Sequence, residues 1–277
     1  MIALLMAGGK GSRLAMDEEK PLVRVNGRPM ISYVMDALLH SKCFDGIVVA
    51  VSRNTQRTKG YILDGYVARA CNTLTTATNG CRIWLVDTPA SGYVEDLNSL
   101  LLYMGRRGMG IDMGMDRGRD SRGGRVVVEG GGVGVTYRAS RMHRNSDQDH
   151  ANESKHEPYN VFVTPADLPL LDGYIVRDIV GASHKRMHNR KAWLAVVTSK
   201  AFLDSIGISS ANCFASDGSL YCYTGISMVS TGSIGRVPAT VDEDHLVLDD
   251  VRIAVNVNTL EDLRMAESIL TRFRRTC

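Results

Sequence analysis

Apolar residues fall into two patterns that alternate along the chain. Continuous apolar runs, typical of strands buried on both faces, occupy residues 2–7, 46–51, 82–87, 160–164, 193–198, 221–230 and 251–257. Apolar residues spaced by three or four positions, typical of amphipathic helices, occupy residues 29–41, 56–63, 93–103, 172–185 and 261–274. Because strands and helices alternate, the sequence predicts an α/β fold with a mostly parallel sheet and helices on both faces.

Residues 105–158 break this pattern. They are rich in glycine, arginine and small polar residues and have few of the large apolar side chains that a core needs. Within them, residues 125–129 and 133–137 have the composition of a small hairpin across a glycine turn. We therefore expect one domain over residues 1–277 with a flexible or partly ordered insertion at 105–158.

Composition is that of an ordinary globular protein, since 44% of the 277 residues are hydrophobic and 23% are charged. A net charge of +3 is too small to indicate nucleic-acid binding, and the glycine–arginine stretch lacks interleaved aromatic residues, so RNA binding is only a weak alternative. No apolar run reaches membrane-spanning length, and the first residues lack the pattern of a signal peptide. Six cysteines without a C-x-x-C motif predict reduced thiols in a cytoplasmic protein.

The first predicted strand leads into a glycine-rich loop, Ala7-Gly8-Gly9-Lys10-Gly11-Ser12-Arg13, which is followed by Glu19-Lys20-Pro21-Leu22. Glycines allow several backbone N–H groups to surround one anion, and the basic side chains of the two segments add positive charge. The spacing is not that of a P-loop, and the dinucleotide-binding pattern fails because Leu14 stands at its third glycine. The loop predicts a triphosphate site, with a glycine turn beside solvated basic residues as the alternative.

Two polar residues follow predicted strands and have the chemistry of Mg²⁺ ligands. Asp167 comes just after the strand at 160–164, and Asn256 lies at the end of the strand at 251–257. The carboxyl ends of strands in α/β sheets bind ligands, and Mg²⁺ prefers one or two carboxylates with other oxygen atoms. The alternatives are a helix cap or turn for Asp167 and turn chemistry for Asn256.

The glycine loop with its Lys-Pro pair resembles the nucleotidyltransferases that join a nucleoside triphosphate to a phosphorylated acceptor. Three further segments point to one branch of these enzymes: Gly92-Tyr93-Val94-Glu95-Asp96-Leu97-Asn98, the residues around Gly225, and Val255-Asn256-Val257-Asn258-Thr259. They are similar to the archaeal adenosylcobinamide-phosphate guanylyltransferases, relatives of the molybdenum-cofactor guanylyltransferases. The resemblance implies a Rossmann-like domain of the nucleotide-diphospho-sugar transferase type, with GTP and a phosphorylated corrinoid as partners and Mg²⁺ as cofactor. It leaves a homodimer open.

The resemblance also implies roles for individual residues. GTP phosphates would lie on the loop at Ala7, Gly8, Gly9, Gly11 and Ser12. The catalytic residues would be Arg13, Lys20 and Asp167, with Mg²⁺ held by Asp167 and Asn256. The acceptor phosphate would then displace pyrophosphate from GTP.

Guanine presents two N–H groups on one edge, so its reader must offer hydrogen-bond acceptors. The candidates are Asp87, the last residue of one predicted strand, Asn54, just after another, and backbone carbonyls, although Asp87 is equally suited to cap the turn after it. Gly225 interrupts a predicted strand, which is typical of a place where a ligand or another backbone segment approaches closely. We therefore expect Gly225 near the nucleotide.

Three other functions are compatible with the same residues. A molybdopterin guanylyltransferase or a sugar-phosphate nucleotidyltransferase would share the first strands and the loop. A GTP-binding regulatory protein without turnover would share the loop as well. Arg13, Lys20 and Asp167 together favour an enzyme, because binding alone needs fewer charged groups.

Overall fold

The structure is a computed structural model that describes residues 1–9, 11, 14, 16–67, 81–107, 159–187, 193–210, 212–233 and 243–276. Its strands are β1 (Ile2–Met6), β2 (Arg24–Val25), β3 (Arg28–Pro29), β4 (Gly46–Ser52), β5 (Arg82–Thr88), β6 (Asn160–Pro165), β7 (Trp193–Ser199), β8 (Cys213–Ser216), β9 (Ser219–Ser230) and β10 (Glu243–Val247). Its α-helices are α1 (Met30–Ser41), α2 (Gln56–Ile62), α3 (Tyr93–Arg107), α4 (Gly173–Met187), α5 (Lys200–Ser205), α6 (Val251–Ala254) and α7 (Leu260–Thr276).

The central sheet is mixed and mostly parallel, as the alternating pattern predicts. Its strand order is β10-β7-β9-β6-β1-β4-β5, with β8 paired to β9 outside this path. Neighbouring strands from β6 to β5 are parallel, as are β7 and β10, whereas β9 runs antiparallel to β6, β7 and β8. The α/β fold class is therefore confirmed.

Alternate residues of the central strands enter two separate cores, one on each face of the sheet. In β1, Ala3 and Leu5 pack with apolar residues of α1 and α4, while Ile2 and Leu4 pack with apolar residues of α3. All four side chains are at most 5% exposed. Burial on both faces explains why the central strands are continuous apolar runs rather than alternating ones.

The predicted last strand at 251–257 is wrong. The Asp250 carboxylate accepts a hydrogen bond from the backbone N–H of Arg252 at 2.8 Å, and this N-cap begins the short helix α6. After α6 the chain is extended, and Val255 and Val257 are buried against α7 in a third apolar cluster. The apolar run reflects this cluster and not a strand of the sheet.

The prediction of reduced thiols is wrong for one pair of cysteines. Cys213 of β8 and Cys222 of β9 face each other in the antiparallel register and form a disulfide. Cys43 and Cys81 are free thiols, whereas Cys71 and Cys277 lie outside the described residues. The pairing depends on strand register, which the spacing of the two cysteines does not reveal.

The predicted insertion falls mostly outside the described part of the chain. Helix α3 continues to Arg107, so residues 105–107 are helical rather than part of an insertion. Residues 108–158, with the predicted hairpin, lie outside the described residues. Elements that the apolar pattern did not predict are β2, β3, β8, β10 and α5. Among the described residues, no helix combines the length and apolar character needed to span a membrane.

Candidate active site

The carboxyl ends of β1 and β6 form a topological switch point. From β1 the chain builds outward through β4 and β5 on one side, and β6 then returns to pair with β1 on the other side. After β1 the chain continues to β4 on one side of the sheet, and after β6 it continues to β7 on the other side, and ligands bind α/β sheets in the crevice at such a point. Ala7 and Gly8 follow β1 at this point and Asp167 follows β6, so the fold brings two predicted site segments together.

The glycine loop leaves β1 with little space on one side and open space on the other. The Ser52 hydroxyl donates a hydrogen bond of 2.8 Å to the Gly8 carbonyl, whereas a Cβ on Gly9 would meet no atom of the described residues within 4 Å. Gly11 has φ +65°, and a Cβ there would lie 2.6 Å from the Cβ of Lys20. Glycine at this position therefore permits both the turn and the close approach of Lys20.

Lys20 lies against the glycine loop and contacts residues that follow β6 and α6. Its Nζ forms an ion pair with Oδ2 of Asp167 and donates a hydrogen bond of 2.9 Å to Oδ1 of Asn258. The Lys20 and Asp167 side chains are each 15% exposed, so this pair is much less screened by water than a surface ion pair. A cation and a carboxylate are thus held together beside the glycine loop.

The extended segment after α6 positions the two asparagines. The backbone N–H of Val257 donates a hydrogen bond of 2.9 Å to the Asp167 carbonyl, which fixes the segment against the end of β6. Because Val257 is buried in the apolar cluster, Asn256 and Asn258 on either side of it turn toward the crevice. Nδ2 of Asn258 donates a hydrogen bond of 2.8 Å to Oδ1 of Asn256.

The oxygen atoms around Asp167 suit a divalent cation. Oδ1 of Asp167 is buried and has no hydrogen-bond partner among the described residues, although a buried carboxylate oxygen normally has one. The described residues contain no group of three or more His, Cys, Asp or Glu side chains arranged as a metal site. One carboxylate with amide oxygens nearby matches Mg²⁺ that takes its remaining ligands from water and phosphate.

Glu19 connects Lys20 to helix α2. Its carboxylate accepts hydrogen bonds from the backbone N–H groups of Arg57 and Thr58 at 2.8 and 2.6 Å, and from the Thr58 hydroxyl at 2.6 Å. These N–H groups belong to the first turn of α2 and would otherwise lack a partner. Glu19 therefore caps the helix from a distant part of the chain and fixes the backbone next to Lys20.

The two predicted guanine readers lie at the carboxyl ends of β4 and β5. Nζ of Lys59, on α2, forms an ion pair of 2.6 Å with Oδ2 of Asp87, and the Lys59 side chain is only 15% exposed. Asn54 is exposed, and its backbone N–H donates to the Ser52 hydroxyl at 3.1 Å. Both residues are at the correct edge of the sheet, and their contact with a base stays a prediction.

Gly225 and Tyr93 complete the description of the edge. Gly225 has φ +85°, and a Cβ there would lie 3.0 Å from Cγ of Pro165, so the close approach predicted at this glycine is that of Pro165. A role of Gly225 in nucleotide binding stays a prediction. Tyr93 begins α3, and its pKa is raised by desolvation and by the negative charge of nearby Asp167.

Other parts of the predicted site are not described by the structure. Lys10, Ser12 and Arg13 lie outside the described residues, so their roles rest on the sequence. Conversely, the structure adds Glu19, Lys59, Tyr93 and Asn258 to the residues at this edge. Glu19 adjoins the Lys-Pro pair and Asn258 belongs to a segment already singled out, but no sequence signal identified Lys59.

Comparison with known proteins agrees with this geometry. The family described as "MobA-like NTP transferase domain" matches residues 3–216. Adenosylcobinamide-phosphate guanylyltransferase of Methanocaldococcus jannaschii is 42% identical over 103 residues, which are 37% of this chain and 46% of that protein. A probable molybdenum cofactor guanylyltransferase of Thermococcus sibiricus is 35% identical over 57 residues, which are 21% of this chain and 28% of that protein. The chain thus matches less than half the length of either relative.

A solved structure supports the fold. The crystal structure of a putative glucose-1-phosphate thymidylyltransferase from Bacillus anthracis aligns with a TM-score of 0.57, covering 97% of this chain and 95% of that one. The sequence identity is 11%, so the likeness concerns the fold alone.

Proposed function

The chain belongs to the family of MobA-like NTP transferase domains and is a nucleotidyltransferase, and from this premise we propose that it transfers GMP from GTP to adenosylcobinamide phosphate. The products are adenosylcobinamide-GDP and pyrophosphate. The observation that carries the proposal is the Lys20–Asp167 ion pair beside the glycine loop, with one Asp167 oxygen left without a partner among the described residues. A cation and a metal-binding oxygen at a switch point are what nucleotidyl transfer needs.

The acceptor is proposed from the relative in M. jannaschii. Its matched segment of 103 residues is 42% identical, whereas the T. sibiricus relative is 35% identical over a shorter segment. This difference favours a corrinoid phosphate over molybdopterin as the acceptor.

The reaction is a direct in-line displacement at phosphorus. An oxygen of the acceptor phosphate attacks the α-phosphorus of GTP, a new P–O bond forms, and the bond to the β-phosphate breaks with pyrophosphate as the leaving group. The acceptor phosphate is already anionic near neutral pH, so the protein needs no strong general base. Its contribution is to align the reactants and to stabilise the charge that develops on pyrophosphate.

Each proposed role uses a group at the crevice. Backbone N–H groups of the glycine loop bind the phosphates, and Lys20 and Arg13 stabilise the leaving pyrophosphate. Asp167 would hold Mg²⁺, with Asn256 as a further oxygen ligand. When bound, Mg²⁺ neutralises phosphate charge and orients the triphosphate. Asp87, held by Lys59, and Asn54 offer acceptors to the guanine edge.

An acceptor panel tests the proposal. The wild-type protein is incubated with Mg²⁺ and GTP, ATP, CTP or UTP, each with cobinamide phosphate, molybdopterin or glucose 1-phosphate, and pyrophosphate release is measured. We expect rapid release only with GTP and cobinamide phosphate. Faster release with molybdopterin or the sugar phosphate would reassign the acceptor. GTP binding without release of pyrophosphate in the presence of any of the acceptors would indicate a regulatory GTP-binding protein.

A further inference from the structure

The β8–β9 hairpin carries three aromatic rings beyond the end of β6, the strand that Asp167 follows. Strand β9 pairs with β7 along one of its edges, including residues 221–223. Its other edge pairs with β8 near residues 219–222 and with β6 farther along, at residues 227–230. Strand β8 therefore continues the line of β6 beyond Pro165, where Asp167 leaves the sheet. The packing of Pro165 against Gly225 confirms that this part of β9 lies beside the end of β6.

The aromatic rings lie on the same face of the sheet as α3, which packs on that face over β1, β4 and β6. Tyr223 pairs with Val197 of β7, and His245 of β10 pairs with Ala195 of β7. Val197 and Ala195 are each an even number of residues from Trp193, which packs against the apolar residues of α3. Residues that alternate along a strand share a face. The rings and the first turn of α3, with Tyr93, are thus on the same side of the sheet.

The rings form one connected surface, which we name the aromatic face: Phe214, Tyr221, Tyr223 and His245. The Phe214 ring centroid lies 4.5 Å from that of His245, 5.0 Å from that of Tyr223 and 6.0 Å from that of Tyr221. The Tyr223 hydroxyl donates a hydrogen bond of 3.3 Å to Oε2 of Glu243, which fixes its ring. All four side chains are only partly buried, so ring surface is left for a ligand.

We propose that the aromatic face binds the corrin ring of the acceptor, with the acceptor phosphate directed to Asp167. This inference rests on the proposed function, because it takes the acceptor to be a corrinoid. The many methyl and methylene groups at the edge of a corrin ring pack well against aromatic side chains, whereas a sugar phosphate would use so much apolar surface poorly. Strand β8 continues the line of β6, which is the neighbour of β1, so a nucleotide at the loop after β1 and an acceptor on the aromatic face would bind side by side.

Leucine substitutions in the aromatic face test the inference. Tyr221→Leu and Phe214→Leu keep an apolar side chain but remove a flat ring, and Tyr174→Leu is the matched control. Tyr174 is 71% exposed on α4, which packs on the other face of the sheet. Binding of cobinamide phosphate is measured by equilibrium dialysis with corrin absorbance, and binding of GTP by calorimetry. Circular dichroism checks that each variant is folded.

We expect each aromatic-face variant to bind cobinamide phosphate about tenfold more weakly, with GTP affinity unchanged and the control equal to wild type. Unchanged corrinoid affinity in both folded variants would overturn the inference while leaving the proposed function intact. An equal loss of GTP affinity would also overturn it, since the rings would then support the whole site. A wild-type protein that binds no cobinamide phosphate would overturn both proposals.

Discussion

The two sides of the crevice are built from different interactions. On the phosphate side, formed by the glycine loop, Lys20, Asp167 and Asn258, charged and polar groups are joined by an ion pair and a hydrogen bond of 2.9 Å. On the aromatic face, rings contact one another at centroid distances of 4.5 to 6.1 Å, with few charges among them. The phosphate side thus holds individual charged groups in defined positions, whereas the aromatic face provides apolar surface for contact with a ligand.

This difference predicts how the two sides contribute to the reaction. Stabilising a transition state depends on charges that are already in place, so changes on the phosphate side should lower kcat. Holding a large acceptor depends on apolar contact that is similar before and during the reaction, so changes in the aromatic face should raise KM for the acceptor.

Replacing Lys20 should give the largest effect. Lys20→Met removes the cation that we propose stabilises the leaving group and also removes the ion-pair partner of the Asp167 carboxylate, so kcat should fall about 10³-fold. Lys185→Met, an exposed lysine on α4, is the control and should retain wild-type activity. Steady-state kinetics provide the measurement. A Lys20→Met variant that changes only KM for the corrinoid would contradict the assignment of Lys20 to the phosphate side.

Arg13→Ala should lower kcat about 10²-fold, equivalent to about 3 kcal/mol of transition-state stabilisation. The reason is the loss of a cation beside the developing pyrophosphate charge. Arg13 lies outside the described residues, so this prediction extends the phosphate side from the sequence alone. Thermal unfolding should be nearly unchanged. Near-normal turnover would remove Arg13 from the mechanism.

Glu19 supports the phosphate side without touching substrate. In Glu19→Gln, an amide N–H₂ replaces one of the two oxygens that accept hydrogen bonds from α2, so the cap is partly lost. We expect the free energy of unfolding to fall by about 1 kcal/mol and kcat to fall about tenfold as Lys20 shifts.

The neighbouring carboxylate supplies the control for Glu19. Glu18 pairs with the Arg57 side chain, which is 65% exposed, so Glu18→Gln should change neither stability nor kcat noticeably. If Glu19→Gln lowers stability but leaves kcat at the wild-type value, Glu19 is a helix cap with no influence on Lys20.

The disulfide should have the smallest effect on the kinetics, and that effect should be confined to binding of the acceptor. Exchanging both Cys213 and Cys222 for serine removes a link between β8 and β9 and should lower the free energy of unfolding by about 2 kcal/mol. KM for the corrinoid should rise a few-fold, because the rings of the aromatic face are carried by these strands, while kcat stays constant. A fall in kcat with constant KM would show that the hairpin supports the phosphate side instead.

The sequence predicted most of the phosphate side but not the aromatic face, and the reason is physical. Strands β1, β4, β5 and β6 are buried on both faces, so their continuous apolar runs identify them, and the glycine loop and Asp167 follow directly after two of them. Strands β8 and β10 are short and only partly buried, so their residues carry no comparable pattern. The aromatic face was therefore missed, although its residues are adjacent in the folded sheet.

Contacts between residues that are far apart in the sequence could not be predicted either. Lys20 was predicted as a cation and Asp167 as a carboxylate at the same site, but their ion pair joins residues 147 positions apart. The position of Asn258 next to Lys20 depends on α6 and the buried valines that follow it, a segment that the apolar pattern misassigned to a strand. Local patterns thus identified the chemical groups, whereas tertiary packing decided which of them meet.

The central claim is that Asp167 serves the reaction through a divalent cation at the end of β6. The most direct measurement is the Mg²⁺ dependence of pyrophosphate release for wild type, Asp167→Asn and the exposed control Asp178→Asn. Asparagine keeps the size of aspartate and caps turns about equally well, but it lacks the charge that binds Mg²⁺. We predict that Asp167→Asn releases pyrophosphate far more slowly and needs much more Mg²⁺, while Asp178→Asn matches wild type. Superimposable Mg²⁺ curves for Asp167→Asn and wild type would contradict the account.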